Sequence, residues 1–172
     1  MKIRMIVAAA VAATAAVIGS TTAVQAATTV QAAHQPAKHL PSTVKAWSAA
    51  WSGTDPAALG KLFTANGTYT DHAIGATMTG REQIAGWKAR TDSMIENVHV
   101  TVRAAWRDGG HHITIRGVYA GHIKGAPKPF AVPSVTLLDT DGRRITANQD
   151  FYNLADVLAQ SGLPADWTPS AG

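Results

Sequence analysis

Cysteine is absent from the 172 residues, which excludes disulfides, thiolate metal sites, lipid-modified cysteine and thiol nucleophiles. Charge is sparse as well. Only 15% of residues are Asp, Glu, Lys or Arg, and the basic ones are scattered, with no run and no aromatic-interleaved patch. Nucleic-acid binding therefore lacks its electrostatic footprint. The seven histidines show no H-x-H or H-E-x-x-H spacing, and no G-x-S-x-G elbow occurs. No metal, no cofactor and no hydrolase of the serine-elbow type is expected.

The one long apolar run lies at the N-terminus. Lys2 and Arg4 precede an almost unbroken stretch from Met5 to Ile18, and Val24, Gln25 and Ala26 supply the small residues a signal peptidase reads. The pattern predicts a signal peptide over residues 1–26, cleaved after Ala26. A membrane anchor is the rival reading, but the run is largely alanine and shorter than the ~20 residues a spanning helix needs. The expectation is export and secretion by the general route, with no stable membrane anchor after cleavage. Loss of Lys2 and Arg4 leaves 13 basic and 11 acidic residues, and the formal charge falls from +4 to +2. Residues 27–42 mix Ala, Thr, Gln, His and Pro without periodicity and read as a flexible linker. Its His34 and His39 have no third ligand at matching spacing.

A folded domain is expected over residues 43–164, with a short tail over 165–172. Ser42 is a candidate N-cap, and Val44, Trp47, Ala50 and Trp51 follow at helical spacing. The two indoles belong either to the core or to the wall of a cavity. Asp55 and Pro56 form a cap and first-turn proline, opening a short helix through Leu59, Leu62 and Phe63. Asn66 and Gly67 predict a turn into a strand that puts Tyr69 and Asp71 on one face, inward, and His72 on the other. Asn66, Gly67 and Thr68 also form a glycosylation sequon, a weak signal. Thr79 to Glu82 reads as a capping box starting a helix with Ile84, Trp87 and Lys88, which ends by Ile95.

Strands follow. Val98, Val100, Val102, Ala104 and Trp106 alternate with His99, Thr101, Arg103, Ala105 and Arg107. Asp108, Gly109 and Gly110 form a hairpin turn, and the returning strand puts Ile113, Ile115, Gly117 and Tyr119 on one face. Pro133 requires an edge position or a bulge in the next strand, because it has no N–H to donate. The final strand, after the turn at Asp139 to Gly142, puts Ile145, Ala147, Gln149 and Phe151 on one face. Thr146, Asn148, Asp150 and Tyr152 take the other. A carboxylate, an amide and a phenol in register suit a polar-lined pocket floor. A terminal helix follows and stops at Gly162. Helices first and antiparallel strands after them predict an α+β fold, with helices packed on one face of a curved sheet.

The stretches YTDHAIGATMTGREQIAGW, GVYAGHIKGAPKPFAVPSVTLL and DGRRITANQDFYNLADVLAQSGLP resemble the SnoaL-like polyketide cyclases, within the superfamily built like nuclear transport factor 2. The resemblance implies a cone-shaped, curved antiparallel sheet over three N-terminal helices, an apolar pocket between them, and a homodimer. It also implies that Asp150 is a general acid/base. Many relatives carry Asp-Tyr-x-Asp here, whereas this chain has Asn153 at the second acid, which puts two-acid mechanisms in doubt. Pairing of Asp150 with Arg144, Arg116 or a backbone amide is the structural alternative. Trp47, Trp51, Tyr69, Asp71, Trp87, Asn148 and Tyr152 are the expected binding residues. Two functions stay open. One is a secreted protein that binds a small apolar molecule without catalysis. The other is a cyclase or isomerase using Asp150 on a carbonyl substrate.

Overall fold

The computed structural model describes residues 39–168. The expected signal peptide, most of the linker with His34, and residues 169–172 lie outside them. Helix α1 (Ser42–Ser52) buries Val44, Trp47, Ala50 and Trp51, the stripe expected from the spacing. Its cap position is Pro41, so Ser42 is already helical and makes no side-chain cap. Helix α2 (Pro56–Lys61) is capped as expected, Asp55 Oδ1 accepting from the Ala57 amide at 3.0 Å. It stops earlier than expected. Phe63 opens strand β1 (Phe63–Asp71), because the Leu62 carbonyl accepts from the Ile145 amide at 2.9 Å and starts pairing with the last strand.

Asn66 and Gly67 do not turn the chain; they sit inside β1. Pairing with the last strand jumps from Phe63↔Ile145 to Thr68↔Ala147, so extra residues of β1 form a bulge. Space is tight at Gly67, where a Cβ would lie 3.1 Å from the Ile145 carbonyl oxygen and from the Phe63 ring. Strand β2 (Ala76–Thr79) leads to helix α3 (Arg81–Met94), whose cap position is Gly80 rather than Thr79. The reciprocal half of the expected capping box is made one residue later, by Gln83 Oε1 accepting from the Thr79 amide at 2.9 Å.

Strands β3 (Ile95–Asp108), β4 (His112–Ile123), β5 (Phe130–Thr140) and β6 (Ile145–Tyr152) follow, and helix α4 (Leu154–Ser161) closes the fold. Among the described residues, three helices thus precede the long strands and one follows them. The sheet order is β2-β1-β6-β5-β4-β3. Every neighbouring pair is antiparallel except β1–β6, which is parallel. That pairing lays the first strand of the chain beside the last.

Bulges also change the expected alternation. In β3 the register shifts between Val102 and Ala104, and the following residues change phase. Ala104 and Ala105 are both buried, where strict alternation puts Ala105 outside. In the same way Ile145 is fully buried although it was expected opposite Asn148, because the β5–β6 register shifts at Asp139/Thr140. Such bulges bend the sheet. Pro133 meets its requirement locally: β5 is an internal strand, but its pairing with β6 begins only at Ser134.

Two hydrophobic clusters result. One joins the helices to the sheet through Val44, Leu59, Phe63, Ile84, Ile115 and Leu138, all essentially inaccessible. The second joins α4 to the sheet through Phe130, Val132, Val157 and Leu158. Helices α2 and α3 touch backbone to backbone at Gly60, where a Cβ would lie 2.4 Å from the Arg81 carbonyl oxygen. Gly60→Ala is therefore expected to cost about 1–3 kcal/mol in urea denaturation, by overpacking. Gly86→Ala, on the exposed face of α3 with nothing within 4 Å, should instead stabilise by about 0.5–1 kcal/mol. Equal effects at the two positions would contradict the contact.

Candidate functional site

The parallel pairing of β1 with β6 sets Asp71 directly beside Asp150 and Tyr69 beside Asn148. Side chains of one strand face point the same way, so two carboxylates and their neighbouring phenols share one side of the sheet. Each carboxylate takes the tyrosine of the other strand. Tyr69 Oη donates to Asp150 Oδ2, and Tyr152 Oη donates to Asp71 Oδ2 at 2.9 Å. Thr136, paired with Asp150 across β5–β6, donates to its other oxygen at 2.6 Å. Asp71 also accepts from the Ala73 amide at 3.0 Å.

Among the described residues, neither carboxylate is paired with a cation. Arg144 and Arg116, the expected alternatives, do not reach Asp150: Arg144 donates to the Lys61 carbonyl, and Arg116 is exposed. The consequence is electrostatic. Burial raises the Asp150 pKa to about 6, against the smaller opposing effects of Thr136, Tyr69 and Asn148. Burial raises Asp71 too, outweighing its bond from Tyr152. The phenols of Tyr69, Tyr119 and Tyr152 are all pushed upward, chiefly by burial and then by the neighbouring carboxylates, so they remain protonated donors.

These groups open into a cavity of about 180 Å³ at the junction of the two hydrophobic clusters. Trp47, Trp51, Tyr69, Asp71, Trp87, Asp150 and Tyr152 all line it. Asn148 stands behind the wall. It is fully buried, and its Oδ1 accepts from Trp47 Nε1 at 2.8 Å. That bond fixes which end of the amide is which. Nδ2 is left near Asp150, where it helps hold the charge without reaching hydrogen-bond geometry to any group. His72 faces outward, stacked on Phe151 with ring centroids 4.3 Å apart, as the strand alternation predicts.

Lys88 is fully inaccessible but serves the wall rather than the cavity. Its Nζ donates to the Gly53 carbonyl at 2.8 Å and to Asp92, and lies 5.9 Å from the centre of the Trp51 ring. The indole nitrogens of Trp51 and Trp87 are buried and have no hydrogen-bond partner among the described residues. Among the lining residues that sequence reading missed are Tyr119, Thr136 and Trp167. Tyr119 was legible as an inward residue of its strand. Thr136 stands as a lone hydroxyl in an apolar strand, a faint signal. Trp167 lies in what reads as a tail. Asn153, in place of a second acid, caps α4 through Oδ1 to the Ala155 amide at 3.0 Å. The second carboxylate of the cavity is Asp71, from another strand. Among the described residues, no group of three His, Asp or Glu side chains could hold a metal ion.

The model of the SnoaL-like domain matches residues 44–148. The chain belongs to the SnoaL-like family. The matched segment stops just short of Asp150 and Tyr152. A hypothetical protein of ketosteroid isomerase-like fold from Catenulispora acidiphila DSM 44928, in complex with trimethylamine, is 70% identical. The match covers 76% of this chain and 100% of that one, at a TM-score of 0.75. A protein described as a SnoaL-like polyketide cyclase from Shewanella denitrificans OS-217 is 17% identical, with 69% and 93% of the two chains covered and a TM-score of 0.61. An epoxide hydrolase of LEH-like type from M. tuberculosis is also 17% identical, with 69% and 85% covered and a TM-score of 0.58. At that identity the last two show the fold alone. No curated protein matches the sequence.

The raised pKa of Asp150 links the site to stability. Its unfolded value is near 3.8 and its folded value about 6, so the fold binds this proton more tightly than the unfolded chain does. Its contribution is best below pH 3.8 and is lost as pH rises through that window. Asp150→Asn should therefore raise the melting temperature at pH 7.5 but change it little at pH 4. Thr136→Val, which removes a donor to the charged form, should move the Asp150 titration above 6 by carboxyl NMR. An unchanged titration would show that this hydroxyl does not support the charge.

Proposed function

We propose that this chain is an exported SnoaL-like pocket protein that binds a small, largely apolar molecule carrying a substituted ammonium centre. The observation that supports it is the composition of the cavity. Two carboxylates share one aromatic-walled space, and no Lys, Arg or His lines it among the described residues. Buried carboxylates without a counter-charge are costly. A cation whose alkyl groups lie on the rings of Trp47, Trp51, Tyr69 and Tyr119 would supply that charge and gain cation–π attraction. The trimethylamine in the Catenulispora relative has this chemistry. Export rests on the pattern of residues 1–26. A homodimer belongs to the same proposal, with the exposed Val135, Leu137 and Phe151 on β5 and β6 as its apolar patch.

A second reading has its own observation. A carboxyl group titrating near 6, held by two hydroxyl donors inside an apolar cavity, is suited to general acid/base catalysis on a carbonyl compound. It predicts that the wild type, and not Asp150→Asn, exchanges the α-protons of cyclopentanone for solvent deuterium, followed by NMR.

The binding reading is tested by calorimetry with trimethylammonium and with uncharged tert-butanol of similar shape. The cation should bind at least tenfold more tightly. Its affinity should fall as pH drops through about 6, because protonation removes the Asp150 charge while the ammonium keeps its own. Asp150→Asn and Trp51→Ala should each weaken it. Equal binding of the alcohol would show that the pocket reads shape and not charge.

A further inference from the structure

We propose that Trp167 is a binding residue of the cavity and its movable wall, and that a ligand enters by displacing this indole. The inference rests on the cavity holding a small molecule, and not on that molecule's charge. Aromatic side chains on α1, β1, α3, β4 and β6, and Trp167 after the last helix, wall the cavity, but they differ in how they are held. Trp47 and Trp51 sit on α1 and Tyr69 on β1, and none is more than 4% exposed. Trp47 is bonded to Asn148, Trp51 backs onto Lys88, and Tyr69 is bonded to Asp150. Moving any of them disturbs a helix, a strand or a buried hydrogen bond.

Trp167 is attached differently. Helix α4 ends at Gly162, whose left-handed φ of 74° turns the chain back, with the Leu163 amide bonded to the Leu158 carbonyl at 2.9 Å. Pro164, Ala165 and Asp166 then run exposed, Trp167 is half-buried, and Thr168 is exposed again. Among the described residues, the one hydrogen bond of this segment is local, from the Trp167 amide to the Pro164 carbonyl at 3.0 Å. No bond ties it to the sheet or to a helix. What holds it is the indole, which lines the cavity and packs on the cluster around Phe130, Val157 and Leu158. A wall kept by the contacts of one side chain opens at lower cost than one built into a helix or strand. It is also the one aromatic wall that follows the last helix, where the chain can swing without breaking the sheet.

The test is kinetic, by NMR line shape on the full chain, with two probes. Trimethylammonium reports on the charged reading. Benzene reports on the cavity alone, since an apolar cavity of about 150 Å³ admits it. Trp167→Ala should raise both the on-rate and the off-rate by about tenfold, with the Trp167→Phe protein in between and the melting temperatures little changed. A static wall behaves differently. Its removal raises the off-rate and leaves the on-rate as it was, and that result would overturn the proposal. If benzene binds the wild type and trimethylammonium does not, the charge reading fails while the gate is still read from benzene. If neither probe enters the wild type but benzene enters Trp167→Ala, the closed wall is supported; if neither enters either protein, the gate is wrong.

Discussion

The structure depends on the parallel contact between β1 and β6. It is the one parallel pairing in the sheet, and it joins segments about eighty residues apart. Through it Asp71 and Asp150 become neighbours, and each finds its phenol on the opposite strand. Side-chain alternation then does the rest, sending all four groups to the concave side where the helices leave room. A slip of one residue in this register would turn the whole set outward. The bulge at Asn66 and Gly67 sets the phase: it absorbs the extra residues of β1 before the paired stretch from Thr68 to Asp71 begins.

Two buried carboxylates without a cation are an arrangement that packing alone would not select. The protein limits the cost with neutral donors: Thr136 and Tyr69 on Asp150, Tyr152 and the Ala73 amide on Asp71. These donors soften the burial penalty without removing it, and both acids keep raised pKa values. Full neutralisation by an arginine would have stabilised the fold and filled the site. The available buried cation, Lys88, is instead placed behind Trp51 and satisfied there by Asp92 and the Gly53 carbonyl. The separation keeps basic side chains out of the described lining of the cavity, which is aromatic, aliphatic and acidic.

The helices serve this site as much as they serve the core. Helix α1 carries Trp47 and Trp51 on one stripe, so the periodicity that packs the helix also builds two walls. Trp47 then does a second task by fixing the amide of Asn148, which faces Asp150 from the same strand face. Helix α4 contributes from the other cluster, and its cap is Asn153. The second carboxylate of the cavity comes instead from β1, as Asp71. The meeting of two carboxylates is therefore a property of the strand pairing here, and not of the terminal motif.

Much of this was legible in the residues. Local patterns determined the α+β class, the stripe of α1, the Asp55 cap and the inward faces of Tyr69, Asp71, Asn148, Asp150 and Tyr152, because helical and strand periodicities act over a few residues. The same local signals misplaced the Asn66–Gly67 turn, the phase of Ala105 and the facing of Ile145, since a bulge depends on what the neighbouring strand requires. Register across the sheet, the partner of each carboxylate and the return of Trp167 over the cavity were decided only by the tertiary structure. They are contacts between segments distant in the chain, and no short-range spacing encodes them. The sequence by itself determined that Tyr69, Asp71, Asn148, Asp150 and Tyr152 face inward; the fold decided that two acids would meet there, with no positive charge between them among the described residues.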